Sequence, residues 1–305
     1  MFGFRADGKK VKNLDPIQRM MPHIMTSRAD AQNSTSYDCP CESIDAFIKK
    51  EYENGEKYNY MHILIASIVR ASALYPRINR FICHGRIYAR NCIQISFLVK
   101  KVLSPDAADA TIKIDFTGHE SLPEIRDRIN EVIKKNVTVD AKNGTDSMAR
   151  LFSLVPNFMI GILVGTLKFL DMHGLLPKAV LDLLPFHCTA FVTNLKSIKG
   201  PSIYHHIYNF GNTGMFFAMG KESQKPVVRK GEIVVGKMLP IRIVTDERFC
   251  DGFYFVNALK QLRALMENPE SMKEPLAELP QDTIVQHAFN KKKRQKKAEA
   301  GLPAK

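Results

Sequence analysis

The chain has 305 residues, 45% of them apolar and 25% charged, and a net charge of +13. That composition supplies a sizeable core and excludes an intrinsically disordered protein. No Gly/Ser linker or break in composition divides residues 15 to 275, and no repeat is evident, so a single domain over residues 1–286 is expected.

The start, Met1-Phe2-Gly3-Phe4-Arg5, carries charge at once with no apolar stretch behind it, so no secretory signal is expected. The six cysteines, at 39, 41, 83, 92, 188 and 250, are spaced neither for zinc nor for a disulfide framework. A reducing cytoplasm suits both observations, with no metal site and no tightly bound cofactor. Tyr60 to Tyr75 is apolar on nearly every turn and stops before Pro76, which predicts a buried helix. Asn91 to Val102, rich in Ile, Val and Phe, predicts a strand. Ser121 as N-cap, Pro123 in the first turn and Glu124 at the capping-box position start a helix running to about Asn136.

Leu151 to Leu167 is seventeen residues without a charge. A bilayer span needs about 20 apolar residues, and Pro156 and Asn157 shorten the clean run, so a buried helix is expected. The alternatives are a surface helix dipping into a membrane or a wall for a fatty chain, and apolar character continues from Leu175 to Phe186. Residues 186–196, 213–220 and 231–246 read as strands, and Gly252 to Asn268 as a helix. Together these predict an α/β fold, a two-layer sandwich of mixed β-sheet packed against helices. Residues 287–305 supply +6 of the net charge, most of it in the run Lys291 to Lys297. They read as a basic disordered tail that solubilises the chain or touches an anionic membrane surface; without interleaved aromatic residues, no specific nucleic acid is expected.

The run Thr245-Asp246-Glu247-Arg248-Phe249-Cys250-Asp251-Gly252 resembles the His-x-x-x-Asp-Gly signature of the chloramphenicol acetyltransferase-like fold. The catalytic domains of 2-oxo acid dehydrogenase acyltransferases share that fold. Phe255 to Glu270, with Glu267-Asn268-Pro269, is similar to the last helix of that family. Thr189 to Leu195 resembles its strand Thr-Phe-Thr-Ile-Ser-Asn-Leu, and Tyr75-Pro76-Arg77-Ile78-Asn79 its Pro-x-x-Asn turn.

The resemblance implies direct acyl transfer, with CoA or another thioester as donor, at a site formed between the chains of a homotrimer. It puts Glu247 where the family has its general-base His, and Thr193 where a hydroxyl donates to the tetrahedral oxyanion. Asp251 falls where the family pairs a carboxylate with an arginine of the N-terminal region, here Arg19 or Arg28. Gly252 and Arg248 are expected to shape the loop, Gly252 because a side chain there would crowd a tight turn. A histidine has a reference pKa near 6.5 and a glutamate near 4.3, so an exposed glutamate is a poor substitute and burial would have to rescue it. His205 and His206 are alternative bases, or packing residues beside Tyr204 and Tyr208. Two function classes stand open: an acyltransferase, and a catalytically silent trimeric scaffold or binding relative, with or without attachment to a membrane.

Overall fold

A computed structural model describes residues 5–100, 109–137 and 156–282. The tail from 287 lies outside the described residues. Among them is a large mixed sheet whose strands run in the order β2 (Gln32–Pro40), β10 (Glu232–Asp246), β8 (Met215–Met219), β7 (Ala190–Asn194), β5 (Ile93–Lys100) and β6 (Asp109–Phe116). The pairs β5–β7 and β7–β8 are parallel, whereas β10–β2, β10–β8 and β5–β6 are antiparallel. β9 (Ser223–Arg229) pairs with the first half of β10 around Lys230 and Gly231, both at positive φ, as a two-residue hairpin turn requires. A small antiparallel sheet joins β1 (Gly8–Lys10), β4 (Arg86–Arg90) and β3 (Arg80–Cys83).

Helices cover one face of the large sheet. The central one, α3 (Tyr60–Leu74), is buried from Tyr60 to Ala73. Asn59 caps its first turn by accepting from His62 N at 3.0 Å. Two of its polar groups find partners inside: Ser67 Oγ donates to Ile63 O, and Arg70 Nη2 donates to the carbonyl of Glu274 at 2.6 Å. The buried His62 meets Asn130 Oδ1 at 3.1 Å, and burial pushes its pKa down to about 4. Packed against α3 are α4 (Leu122–Val137) and α7 (Gly252–Glu267). The capping box forms as read: Glu124 Oε2 accepts from Ser121 N at 2.7 Å, and Ser121 Oγ accepts from Glu124 N. The two shorter helices α1 (Pro16–Ile24) and α2 (Glu42–Glu53) complete the N-terminal part.

The two-layer α/β sandwich is therefore observed, but one element departs from expectation. Helix α5 (Asn157–His173) occupies the part of the uncharged segment that is described, and it is not buried. Phe158, Ile162 and Phe169 are 73%, 66% and 53% exposed. Only its other side is covered, where Leu167 and Leu170 pack on Leu176, Leu181 and Leu184 of the chain around α6 (Lys178–Leu183). Among the described residues nothing covers the outer side of α5.

Candidate active site

Strand β10 ends at Asp246, and a single turn, Glu247–Phe249, leads to α7. A buried ion pair sets that turn. Arg248 folds back so that Nε donates to Asp246 Oδ1 at 2.8 Å and Nη2 to Oδ2 at 2.6 Å, while Nη1 donates to Met25 O. Arg28 lies against the same carboxylate, its Nε 4.0 Å from Asp246 Oδ2, and donates to the carbonyls of Ile82 and Asn209. Burial pushes the Arg28 pKa down, with Asp246 opposing.

With Arg248 turned inward, Glu247 points outward and is exposed. Its amide donates to Ala31 O at 3.0 Å, and its carboxylate reaches Asn33 Nδ2 only at 3.5 Å. It opens into a cavity of about 290 Å³ that Ile17, Met21, Asn33, Asp251 and Phe255 also line. No described residue supplies the burial that would make this carboxylate a base.

Asp251 is the N-cap of α7, accepting from Tyr254 N at 2.9 Å. Its partner within the chain is Arg77, at 3.8 Å, rather than Arg19 or Arg28. Arg28 is taken up by Asp246, whereas Arg77 leaves the end of α3 beside α7 and lies over the Tyr254 ring at 4.9 Å. The reason expected for Gly252 also fails within one chain: a Cβ there would meet nothing within 4 Å, because the first residue of α7 is open. Cys250 is buried, and burial pushes its thiol up to about 12, so it packs as an inert side chain.

Thr193 stands elsewhere. The register pairs it with Ala218, and Ala218 with Arg242, five residues before Glu247. That is more than roughly 15 Å along the sheet, so one chain does not bring Thr193 and Glu247 together. Thr193 is half-buried on the sheet face that also carries Phe191 and Phe216, opposite α3, α4 and α7. The same face receives His205, whose ring stacks on Phe216 at 4.0 Å and lies 4.9 Å from His206. Neither histidine is among the residues lining the Glu247 cavity.

The sequence reading did not single out the buried polar cluster at the foot of α5. Asp171 accepts from Arg5 Nη2 at 2.7 Å and meets His187 Nε2 at 3.0 Å, while Arg5 Nε donates to Asp7 at 2.7 Å. Burial opposes ionisation of Asp171, but the His187 contact and the Arg5 guanidinium outweigh it and hold the carboxyl at about 2. Contacts across 166 residues leave no local signal in a sequence.

Comparison with known proteins bears on the same stretch. Residues 189–273 match the family model of the 2-oxoacid dehydrogenases acyltransferase catalytic domain. The chain is 24% identical over 223 residues to the dihydrolipoyllysine-residue acetyltransferase component of the pyruvate dehydrogenase complex of Staphylococcus epidermidis, covering 72% of this chain and 40% of that protein. With the Bacillus subtilis protein of the same description it shares 25% over 193 residues, covering 56% and 42%. The chain thus spans about two-fifths of the length of these relatives.

Among solved structures, a probable dihydrolipoamide acetyltransferase from Listeria monocytogenes superposes with a TM-score of 0.53 at 15% identity, over 85% of this chain and 95% of that one. The cubic core of a pyruvate dehydrogenase multienzyme complex gives 0.54 at 15% identity, over 87% and 94%. A chloramphenicol acetyltransferase gives 0.50 at 13%, over 84% and 96%. In sequence over residues 189–273, and in fold over most of its length, the chain is similar to the catalytic domain of the 2-oxoacid dehydrogenase acyltransferases.

Proposed function

We propose that the protein is an acyltransferase whose site is completed by two copies of the chain within a homotrimer. Glu247 of one copy takes the proton of the acceptor thiol or hydroxyl as it attacks the carbonyl of an acyl thioester, such as an acyl-CoA. Thr193 of the next copy donates a hydrogen bond to the tetrahedral oxyanion. Collapse of that intermediate expels the donor thiolate, which Glu247 reprotonates. Asp251 and Arg248 hold the turn that presents Glu247.

The observation that carries this reading is the placement of Glu247. It opens outward into a cavity beside Asp251, while Thr193 lies too far along the same sheet to serve it. A neighbouring copy would provide the hydroxyl and the missing cover together. The β9–β10 hairpin, with Val228, Ile233 and Val235 more than 70% exposed, offers a surface for contact between copies. Closed symmetry of this kind is usual for soluble oligomers.

The test is release of free thiol from acyl-CoA esters in the presence of small thiol acceptors. Glu247→Gln should abolish transfer with the fold preserved, and Glu247→His should restore or raise it. Thr193→Ala should slow turnover about 10²–10³-fold, the usual effect of losing one oxyanion donor. No transfer by wild type, with none gained by Glu247→His, would end the catalytic reading. The exposure of Glu247 favours a second one, a silent trimeric scaffold. A mass near 34.5 kDa by light scattering at micromolar concentration would remove the trimer from both.

A further inference from the structure

The outer side of α5 is apolar and uncovered. Phe158, Met159, Ile162, Phe169 and Met172 are all exposed on it, together with Gly161 and Gly165, where an added Cβ would meet nothing within 4 Å. A monomeric surface seldom leaves so continuous an apolar stretch bare unless it meets a partner or a membrane. The helix is not a span: seventeen residues reach about 25 Å, short of the roughly 30 Å hydrocarbon thickness, and no helix among the described residues is long and apolar enough to cross. It is also fastened to the body, by Leu167 and Leu170 on one side and by Asp171 at its C-terminal end. A fastened helix with a bare apolar side suits a surface that it enters side-on.

Charge selects the occupant. Lys168 lies on the exposed side, with no ion pair among the described residues. Asp171 is turned inward onto Arg5 and His187, and Asp182 of the next helix is paired with Lys178, so among the described residues no ion pair occupies Lys168. At the foot of α5 a cavity of about 670 Å³ is lined by Lys168, with Asp171 its one acid and with Arg28 and Arg248 in its wall turned onto Asp246. The chain as a whole carries +13, which an anionic surface answers. An anionic bilayer supplies apolar depth for the five apolar side chains and phosphate for Lys168 beside them.

We infer that α5 is an interfacial membrane helix, docking the protein onto an anionic phospholipid surface through Phe158, Met159, Ile162, Phe169 and Met172, with Lys168 at the headgroups. This docking is independent of any chemistry at Glu247.

The chain has no tryptophan, so Ile162→Trp places a single reporter on the outer side of α5. With vesicles of equal parts phosphatidylglycerol and phosphatidylcholine, its emission should shift to the blue and be quenched by brominated acyl chains. Pure phosphatidylcholine should give little of either effect, and Lys168→Glu should weaken both. Co-sedimentation of the full chain should fall about tenfold or more in the double variant Phe158→Ser, Ile162→Ser, which removes two apolar anchors. Sedimentation with an unshifted tryptophan would assign membrane binding to the basic tail and overturn the inference. A blue emission without vesicles, together with a mass that falls in the double serine variant, would assign the face to a second copy and overturn it as well.

Discussion

Helices α3 and α5 are fifteen and seventeen residues long and built almost wholly from apolar side chains, yet α3 is buried from Tyr60 to Ala73 and α5 buries only Asp171 fully. The difference lies in what each is packed against. α3 lies on the sheet with α4 and α7 beside it, and three of its polar residues find partners: His62 on Asn130, Ser67 on Ile63, Arg70 on Glu274. α5 is held along part of one side and at one end, and its single buried carboxylate is the fastening. Apolar composition therefore says that a helix must be covered, and not by what. In α3 the cover is the chain itself; in α5 no described residue supplies it.

The effect that could break this comparison most directly is at the fastening. Asp171→Ala would leave His187 Nε2 buried without its partner and the Arg5 guanidinium with Asp7 as its one carboxylate, at a cost of about 3 kcal/mol. Urea unfolding measures it, and a loss below about 1 kcal/mol would mean that α5 is held in some other way. Next comes the core of α3. Leu64 is fully buried, so Leu64→Ala should cost about 2–5 kcal/mol.

A pH effect of similar size should come from His62. Its folded pKa of about 4 lies below the unfolded value near 6.5, so between these pH values the unfolded chain binds the extra proton. The stability it contributes is present above pH 6.5 and is lost as pH falls toward 4, by up to roughly 3 kcal/mol. Unfolding midpoints measured at both ends of that window check it, and His62→Gln should flatten this part of the slope. The smallest effect belongs to the outer side of α5, where Ile162→Ala should change stability by no more than about 0.5 kcal/mol. Equal losses from Ile162→Ala and Leu64→Ala would erase the distinction between the two helices.

What the sequence determined by itself is what short-range physics encodes. The capping box of α4 lies within four residues, Ser121 to Glu124, and forms as read. The apolar runs of α3, β5 and β10 marked their elements because each carries its own signal over eight or more residues. The strand and turn around residues 189–252 likewise pointed to a known fold. Weak or polar elements stayed hidden: β2 reads Gln-Asn-Ser-Thr-Ser-Tyr-Asp-Cys-Pro and is a strand only because β10 pairs with all of it.

Tertiary structure alone decided the rest, because it concerns groups distant in the chain. It gave Asp251 to Arg77 rather than to an N-terminal arginine, joined Arg5 to Asp171 and His187, and left Gly252 in open space. It also set Thr193 and Glu247 far apart on one sheet and turned the apolar face of α5 outward. Hydrophobic periodicity and capping act through bonds and contacts a few residues long and can be read in order. Which side chains meet, and which surface stays bare, depends on packing between elements, and no local pattern records that.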